Sequence, residues 1–191
     1  MSPRTQKQFK EIREEKKAMI MATALEIFAE KSFLGASVSM IAKKAGVSKG
    51  LLYNYFESKE DLLQQIIFQT LDSFIELFDE SKAESFDEND LAGLINFNFD
   101  LIKKDPHFWK LYVSLLVQPA AFKFIEAKLP EFIEAFTKIL VTYYQKKGVK
   151  YPEAQARLLG AVLDGVSLNY ILDPKGFPLE EIKQLLIEKF K

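Results

Sequence analysis

The fold of this chain is decided by residues 37–56, which read SVSMIAKKAGVSKGLLYNYF. The pattern predicts two short helices joined by a tight turn. Ser37 and Ser48 each stand where a hydroxyl can accept a hydrogen bond from an unpaired backbone N–H at a helix start. Gly46 suits the turn, because a residue without Cβ adopts positive φ at no steric cost. The stretch therefore predicts a helix-turn-helix.

The second of these helices is predicted to present a polar and aromatic face. Leu52 and Phe56 are four residues apart and predict its buried side. The outward residues are basic, hydroxyl-bearing or aromatic, with one glycine that permits close backbone approach: Lys49, Gly50, Tyr53, Asn54 and Tyr55. A helix-turn-helix that reads DNA needs such a face on its second helix. The alternative is an ordinary corner between two helices inside a helical domain.

The flanking sequence favours the DNA-binding interpretation. The informative residues are Ile41-Ala42, Ala45-Gly46-Val47, Ser48-Lys49-Gly50, Tyr53, Phe56 and Lys59-Glu60. With them, residues 20–63 closely resemble the N-terminal domain of the tetracycline-repressor (TetR) family. Ser32 departs from the family pattern, which usually has glycine at the end of the first helix. We expect a serine in a left-handed conformation to cost about 1 kcal/mol there.

The resemblance implies a homodimer that binds a palindromic, double-stranded DNA operator. The DNA contacts that it implies lie at the start of the second helix, along the third and at the start of the fourth: Ser37, Ser39, Ser48, Lys49, Gly50, Tyr53, Asn54, Tyr55 and Lys59. Lys49 and Lys59 are expected to contact phosphates. Tyr55 stands where the family often has histidine, and its phenol can still donate to a phosphate.

Composition excludes several classes of protein. The 191 residues, 48% of them hydrophobic, allow one domain or two small ones with a real core. The chain has no cysteine, which excludes disulfides, thiolate nucleophiles and zinc–thiolate sites and fits a cytoplasmic protein. No stretch approaches the roughly 18 apolar residues of a membrane span, and the N-terminus does not read as a secretory signal.

Charge is distributed unevenly along the chain. Residues 1–60 hold 11 Lys and Arg against 7 Asp and Glu, whereas residues 61–191 hold 15 against 20. A positively charged N-terminal region followed by a negatively charged remainder is typical of a protein whose N-terminal region binds phosphates. The alternative is that the charge difference has no function. Arg4, Lys7 and Lys10 could follow a DNA backbone as an N-terminal arm, or form a solvated tail.

Helical periodicity continues to the end of the chain without an alternating strand pattern, which predicts an all-α fold of about nine helices. A DNA-binding domain with its arm is predicted over 1–57, and a helical ligand-binding and dimerisation domain over 58–191. One helix is predicted before the helix-turn-helix, over about 9–31. Six are predicted after it, over 58 to about 81, 88–104, 106 onward, 119 to about 147, 152 to about 172, and 179–190. A bend is predicted at Pro130 in the helix that begins at 119. Ser58 and Asp61 are predicted to form a capping box.

The sequence offers no catalytic constellation. His107 is the only histidine, and neither a nucleophile elbow, a glycine-rich phosphate loop nor a metal-ligand spacing is present. We therefore predict no enzymatic activity, no metal site and no cofactor.

In the TetR family the body forms a ligand cavity in each subunit. Many aromatic rings and few ionisable groups predict a small, largely apolar effector with one polar handle. The ring residues predicted to bind it are Phe97, Trp109, Tyr112 and Phe122, and the candidate interior ionisable groups are His107, Glu126 and Asp164.

In the same family the last two helices pair into a dimeric four-helix bundle. The predicted interface residues are Leu159, Val162, Val166, Ile182, Leu185 and Leu186. The predicted function is a DNA-binding transcriptional regulator, a repressor released from its operator by a small molecule. The alternative is a helical small-molecule-binding protein that does not bind an operator.

Overall fold

The computed structural model describes residues 6–75 and 83–191, which form nine helices and no strand. The all-α prediction is confirmed. The helices are α1 (Gln6–Gly35), α2 (Val38–Lys44), α3 (Lys49–Tyr53), α4 (Lys59–Ile75), α5 (Glu88–Lys104), α6 (Pro106–Leu116), α7 (Pro119–Lys146), α8 (Pro152–Leu172) and α9 (Leu179–Phe190). Arg4 of the predicted arm and the predicted end of the fourth helix near residue 81 lie outside the described residues. No described helix has the length and apolarity that crossing a membrane requires.

The chain divides into two compact units. Unit 1 comprises Met1–Thr70 and Leu111–Ala127, and unit 2 comprises Leu71–Lys110 and Lys128–Lys191. This division differs from the predicted one after residue 57, because the end of α6 and the start of α7 belong to the N-terminal unit. The division falls within three helices, α4, α6 and α7.

The core of unit 1 is built by the apolar stripe of α1 and the inner sides of α2, α3 and α4. Its fully buried members include Ile20, Ala24, Phe28, Ile41, Leu52, Phe56, Leu62 and Leu63. Burying one such leucine, isoleucine or phenylalanine contributes about 1.5–3 kcal/mol. The packing of α1 on α2 and of α2 on α3 fixes the helix-turn-helix.

The caps of the two short helices are as predicted. The Ser37 hydroxyl accepts from the Met40 N–H at 3.2 Å, and the Ser48 hydroxyl accepts from the Leu51 N–H at 3.0 Å. Gly46 has a φ of 64° in the turn between them. Both bonds satisfy backbone donors in the first turn of a helix, where no carbonyl four residues earlier lies within the helix.

The predicted capping box at the start of α4 forms only in part. The Asp61 N–H donates to the Ser58 hydroxyl at 3.0 Å, as predicted. The Asp61 carboxylate, however, accepts from the N–H of Glu57 at 2.8 Å, whereas a full box would bond the N–H of Ser58. The carboxylate reaches one residue further back along the chain.

A break interrupts α1 at Ser32, one residue after the predicted end of the first helix. Ser32 has φ 60° and ψ 163°, so its φ is positive as expected, but its ψ places it outside the left-handed helical region. Such dihedral angles are almost confined to glycine and cost a serine about 1–3 kcal/mol. The Ser32 hydroxyl accepts from the Gly35 N–H at 3.4 Å, and the Ser32 carbonyl accepts from the Ala36 N–H at 3.1 Å.

Unit 2 is built around α5, α8 and α9, which pack on one another. Its buried core includes Leu91, Ile95, Phe99, Leu140, Tyr144, Leu159, Leu163, Leu186 and Phe190. The Tyr144 hydroxyl donates to the Phe190 carbonyl at 3.2 Å and so holds α7 to the end of α9. α7 continues through Pro130, and the predicted bend there stays a prediction.

An ion-pair cluster links α5 to α9 at the surface of unit 2. The Glu180 carboxylate lies 2.6 Å from the Lys103 ammonium and 2.5 Å from the Lys183 ammonium. Hydrogen bonds from Lys103 and then Lys183 lower the pKa of Glu180 to about 2.

Candidate nucleic-acid interface

The outer side of α3 presents residues predicted to bind DNA. Lys49, Gly50, Tyr53 and Asn54 are exposed, and their spacing of one and four residues places them on the same side of the helix. Leu52 is fully buried and holds the opposite side against the core. The exposed predicted contacts outside this set are Ser37, Ser39 and Ser48.

Gly50 leaves the backbone of α3 open to an approaching molecule. A Cβ built on Gly50 would meet no other atom within 4 Å, leaving out its chain neighbours and the helix's own backbone. The glycine is therefore not required by packing inside the protein. Its small size instead lets a partner reach the backbone of the helix.

Arg13 of α1 holds the end of α3. Its guanidinium donates to the Asn54 carbonyl at 3.2 Å and lies 4.9 Å from the centroid of the Tyr55 ring. Tyr55 is half-buried, and its ring lies 6.3 Å from that of Phe56. Sequence reasoning did not connect Arg13 with this site, because the two partners are 41 residues apart.

Lys59 is half-buried and engaged with the end of α1. Its ammonium donates to the carbonyls of Phe33 at 2.8 Å and Ala36 at 2.9 Å, and it lies 4.3 Å from the centroid of the Phe33 ring. An ammonium has three donors, so these two bonds leave one for a phosphate. The predicted phosphate contact stays a prediction, and the observed role of Lys59 is to satisfy carbonyls beyond the break in α1.

The four residues predicted to bind the effector are distributed over both units. Phe97 and Trp109 belong to unit 2, whereas Tyr112 and Phe122 belong to unit 1. The side chains of Phe97 and Phe122 are 41% and 61% exposed, so neither is interior in the described structure. The candidate ionisable groups are exposed as well, namely His107, Glu126 and Asp164.

The two remaining ring residues bond to the backbone of their own units. The half-buried Trp109 indole N–H donates to the Leu101 carbonyl at 3.1 Å. The buried Tyr112 hydroxyl donates to the Ile67 carbonyl of α4 at 3.3 Å, and burial raises the pKa of this hydroxyl. Among the described residues, no group of three or more His, Cys, Asp or Glu side chains could hold a metal ion.

Half of the predicted dimer-interface residues lie in the core of their own chain. Leu159, Val166 and Leu186 are buried in the core of unit 2. Val162 and Ile182 are partly buried against the same core. Leu185 is 52% exposed. The period predicted the apolar side of each helix correctly, but that side packs within the subunit.

Residues 20–66 match the sequence profile of the family described as "Bacterial regulatory proteins, tetR family". A fatty acid metabolism regulator protein of Bacillus subtilis is 31% identical over 122 residues, which span 63% of this chain and 62% of that protein. The N-terminal part of the chain, which contains the helix-turn-helix, is therefore similar to the TetR family.

Two further proteins extend the comparison. The biofilm operon icaADBC HTH-type negative transcriptional regulator IcaR of Staphylococcus epidermidis is 27% identical over 130 residues, 67% of this chain and 69% of that protein. The crystal structure of the transcriptional regulator FadR from Bacillus subtilis in complex with stearoyl-CoA superposes with a TM-score of 0.72 at 24% identity. That match covers 91% of this chain and 96% of the other and shows the shared fold.

Proposed function

We propose that this protein is a repressor that binds a palindromic operator as a homodimer and leaves it when a small, largely apolar ligand binds. The main support for DNA binding is the exposed side of α3, which presents Lys49, Tyr53 and Asn54. On the same side, Gly50 leaves the helix backbone accessible to a partner. Repression is favoured by the similarity to a negative transcriptional regulator.

In the proposed complex α3 lies in the major groove. Lys49 neutralises a phosphate, and Tyr53 and Asn54 supply a ring and an amide at the depth of the base edges. Gly50 lets the helix approach closely. The hydroxyls of Ser37 and Ser39 donate to phosphates at the start of α2.

A homodimer is required because one helix-turn-helix makes too few contacts for specific affinity. The exposed side of α8 supports a dimer interface on this helix. Its small and apolar residues, alternately three and four positions apart, are Leu158, Ala161, Gly165, Leu168 and Leu172. This spacing is typical of the contact seam between two helices. Leu158, Leu168 and Leu172 are 52%, 43% and 72% exposed, which is unfavourable on a monomer.

The ligand is proposed to carry an acyl chain. The 31% identical relative is a fatty acid metabolism regulator, and the structure with the same fold contains stearoyl-CoA. We keep Phe97, Trp109, Tyr112 and Phe122 as the residues proposed to respond to it. Stearoyl-CoA is therefore the first ligand to test.

The DNA-binding proposal is tested by selecting duplexes from a randomised pool with the purified protein. We expect enrichment of a palindromic sequence. Lys49→Ala should weaken binding to selected and unrelated duplexes alike and lower the salt slope of log K by about 1. Lys175→Ala, on an exposed turn of unit 2, is the matched control and should change neither quantity.

Failure to enrich any duplex would favour the alternative function, a helical small-molecule-binding protein without an operator. The sign of regulation is read from in vitro transcription across the enriched sequence. We expect the protein to lower transcript yield, and a higher yield would identify an activator.

A further inference from the structure

The break in α1 leaves a backbone donor without its helical partner. The ψ of 163° at Ser32 turns the following peptide, so the N–H of Phe33 no longer points back along the helix to the carbonyl four residues earlier. A part-buried donor in this position needs another acceptor.

Gln118, between α6 and α7, supplies that acceptor and bonds both sides of the break. Its side-chain oxygen accepts from the Phe33 N–H at 2.8 Å. Its side-chain nitrogen donates to the Phe28 carbonyl at 2.9 Å and to the Ser114 carbonyl at 3.3 Å. Only one orientation of the amide satisfies these partners, because the flipped amide would set a donor against the Phe33 N–H.

The alternative to the broken conformation is a continuous α-helix through Ser32. If Ser32 adopted helical dihedral angles, the Phe33 N–H could bond within a continuous helix, and Ser32 would avoid a region that serine seldom occupies. The continuous helix would redirect residues 33–36, which connect α1 to α2. The Gln118 amide, helped by Lys59 on the carbonyls of Phe33 and Ala36, favours the broken form.

We propose that Gln118 is a positioning residue for DNA binding: its amide keeps α1 broken at Ser32 and thereby sets the direction in which the chain enters the helix-turn-helix. The inference rests on the proposed function, because its consequence is read as operator affinity. Gln118 follows α6 and belongs to the segment 111–127 that completes unit 1, so a displacement of this segment reaches α2 through the amide.

The test compares Gln118→Leu, Ser32→Gly and the double variant with the wild-type protein. In Gln118→Leu the amide bonds are lost, and we expect helical carbon chemical shifts at residues 32 and 33 by NMR. The affinity for the selected duplex should fall roughly tenfold, the scale of losing hydrogen bonds to part-buried groups.

Rescue by glycine distinguishes positioning from a merely structural role. Glycine occupies the broken conformation without the strain of serine, so Ser32→Gly/Gln118→Leu should restore non-helical shifts and an affinity within about twofold of Ser32→Gly. A double variant as weak as Gln118→Leu, or a Gln118→Leu variant that binds like wild type, overturns the proposal.

Two further measurements keep the outcome decisive. Should Gln118→Leu fail to fold by circular dichroism, Gln118→Ala replaces it, because it removes the same amide bonds without adding a larger apolar side chain. If the wild-type protein selects no duplex, the proposed function fails, and the chemical shifts still decide whether Gln118 maintains the break. Non-helical shifts retained in the Gln118 variant that folds would overturn that role.

Discussion

At the scale of one residue, substitution of Gly50 should affect DNA binding without affecting folding. A Cβ at this position meets open space, so Gly50→Val should leave the melting temperature close to that of the wild type, apart from the cost of a β-branched residue in a helix. The side chain should nevertheless hold α3 away from the groove and reduce duplex affinity at least tenfold.

Gly50→Ala is the matched control for this variant, because it adds the smallest side chain. It should weaken binding less than valine does while improving helix propensity. Affinity is measured by fluorescence anisotropy and folding by circular dichroism. A valine variant that unfolds would show that Gly50 is needed by the fold.

Glu180 predicts an acid-sensitive contribution to stability. Its pKa is lowered from 4.5 to about 2 in the folded protein. A lowered pKa stabilises the folded state fully above the unfolded value and loses that effect as pH falls from 4.5 towards 2. Glu180→Gln should therefore show a smaller loss of urea stability between pH 5 and pH 2.5 than the wild type.

The matched control is Glu181→Gln, at the exposed neighbouring position. It should follow the wild-type profile. High salt should reduce the difference for Glu180, because the carboxylate is at the surface and its ion pairs are screened. Parallel profiles for Glu180→Gln and wild type would show that the cluster contributes nothing to acid stability.

The residues predictable from sequence were those whose partners are local. Ser37, Gly46 and Ser48 could be assigned because caps and turns involve residues a few positions apart. The contacts of Arg13 with Asn54 and of Gln118 with Phe33 join residues 41 and 85 positions apart. Nothing in either side chain alone indicates such a partner.

At the scale of helices, boundaries set by strong local signals were predicted correctly. α5 covers 88–104 as predicted, because the Asp87–Asp90 capping box begins it and Asp105-Pro106 ends it. α3 ends at Tyr53, before the predicted apolar position at Phe56. Phe56 is nevertheless buried, as predicted. Helical periodicity thus predicts which residues are buried more reliably than it predicts the residue at which a helix ends.

The same limit explains the dimer-interface prediction. A broad apolar side shows that a helix is buried, but it does not distinguish the core of a subunit from the contact with a second subunit. In α8 the core side carries Leu159 and Val166, and the exposed leucines lie on the other side. Burial in the three-dimensional structure was needed to separate the two sides.

The exposed side of α8 predicts the outcome of charge insertion. Leu158→Glu combined with Leu168→Glu should give monomers in light scattering and reduce duplex affinity at least a hundredfold, because two heads no longer bind together. Leu129→Glu is the control and should remain dimeric, since Leu129 is 38% exposed on α7 of unit 2 rather than on α8. A double variant that remains dimeric would place the interface elsewhere.

At the scale of the whole molecule, the ligand can be followed through the single tryptophan. Trp109 is half-buried and bonded to the Leu101 carbonyl, so a ligand that rearranges this part of unit 2 should change its emission. We expect stearoyl-CoA to change Trp109 fluorescence and to release the selected duplex over the same concentration range.

Coenzyme A without an acyl chain is the control and should do neither. Release of the duplex by a polar metabolite, with acyl compounds inactive in both measurements, would contradict the apolar-ligand proposal. Trp109→Phe tests the reporter itself, because it removes the only tryptophan and should abolish the fluorescence change.

The division of the chain into units could not be predicted from sequence. No glycine- or proline-rich linker marks residue 57 or residue 111. Within unit 1, the side chains of Tyr112 and Gln118 donate to the carbonyls of Ile67 and Phe28, which are 45 and 90 residues away in the sequence. Such assignments depend on tertiary packing.

Unit 1 consists of two separate segments of the chain, so its parts are synthesised at different times. After residue 70 the ribosome must make residues 71–110, which belong to unit 2, before the segment 111–127 that completes unit 1. At roughly 5–20 residues per second this interval lasts about 2–8 seconds. During it the helix-turn-helix has been synthesised but Tyr112 and Gln118 have not, so unit 1 is completed only after synthesis of unit 2 has begun.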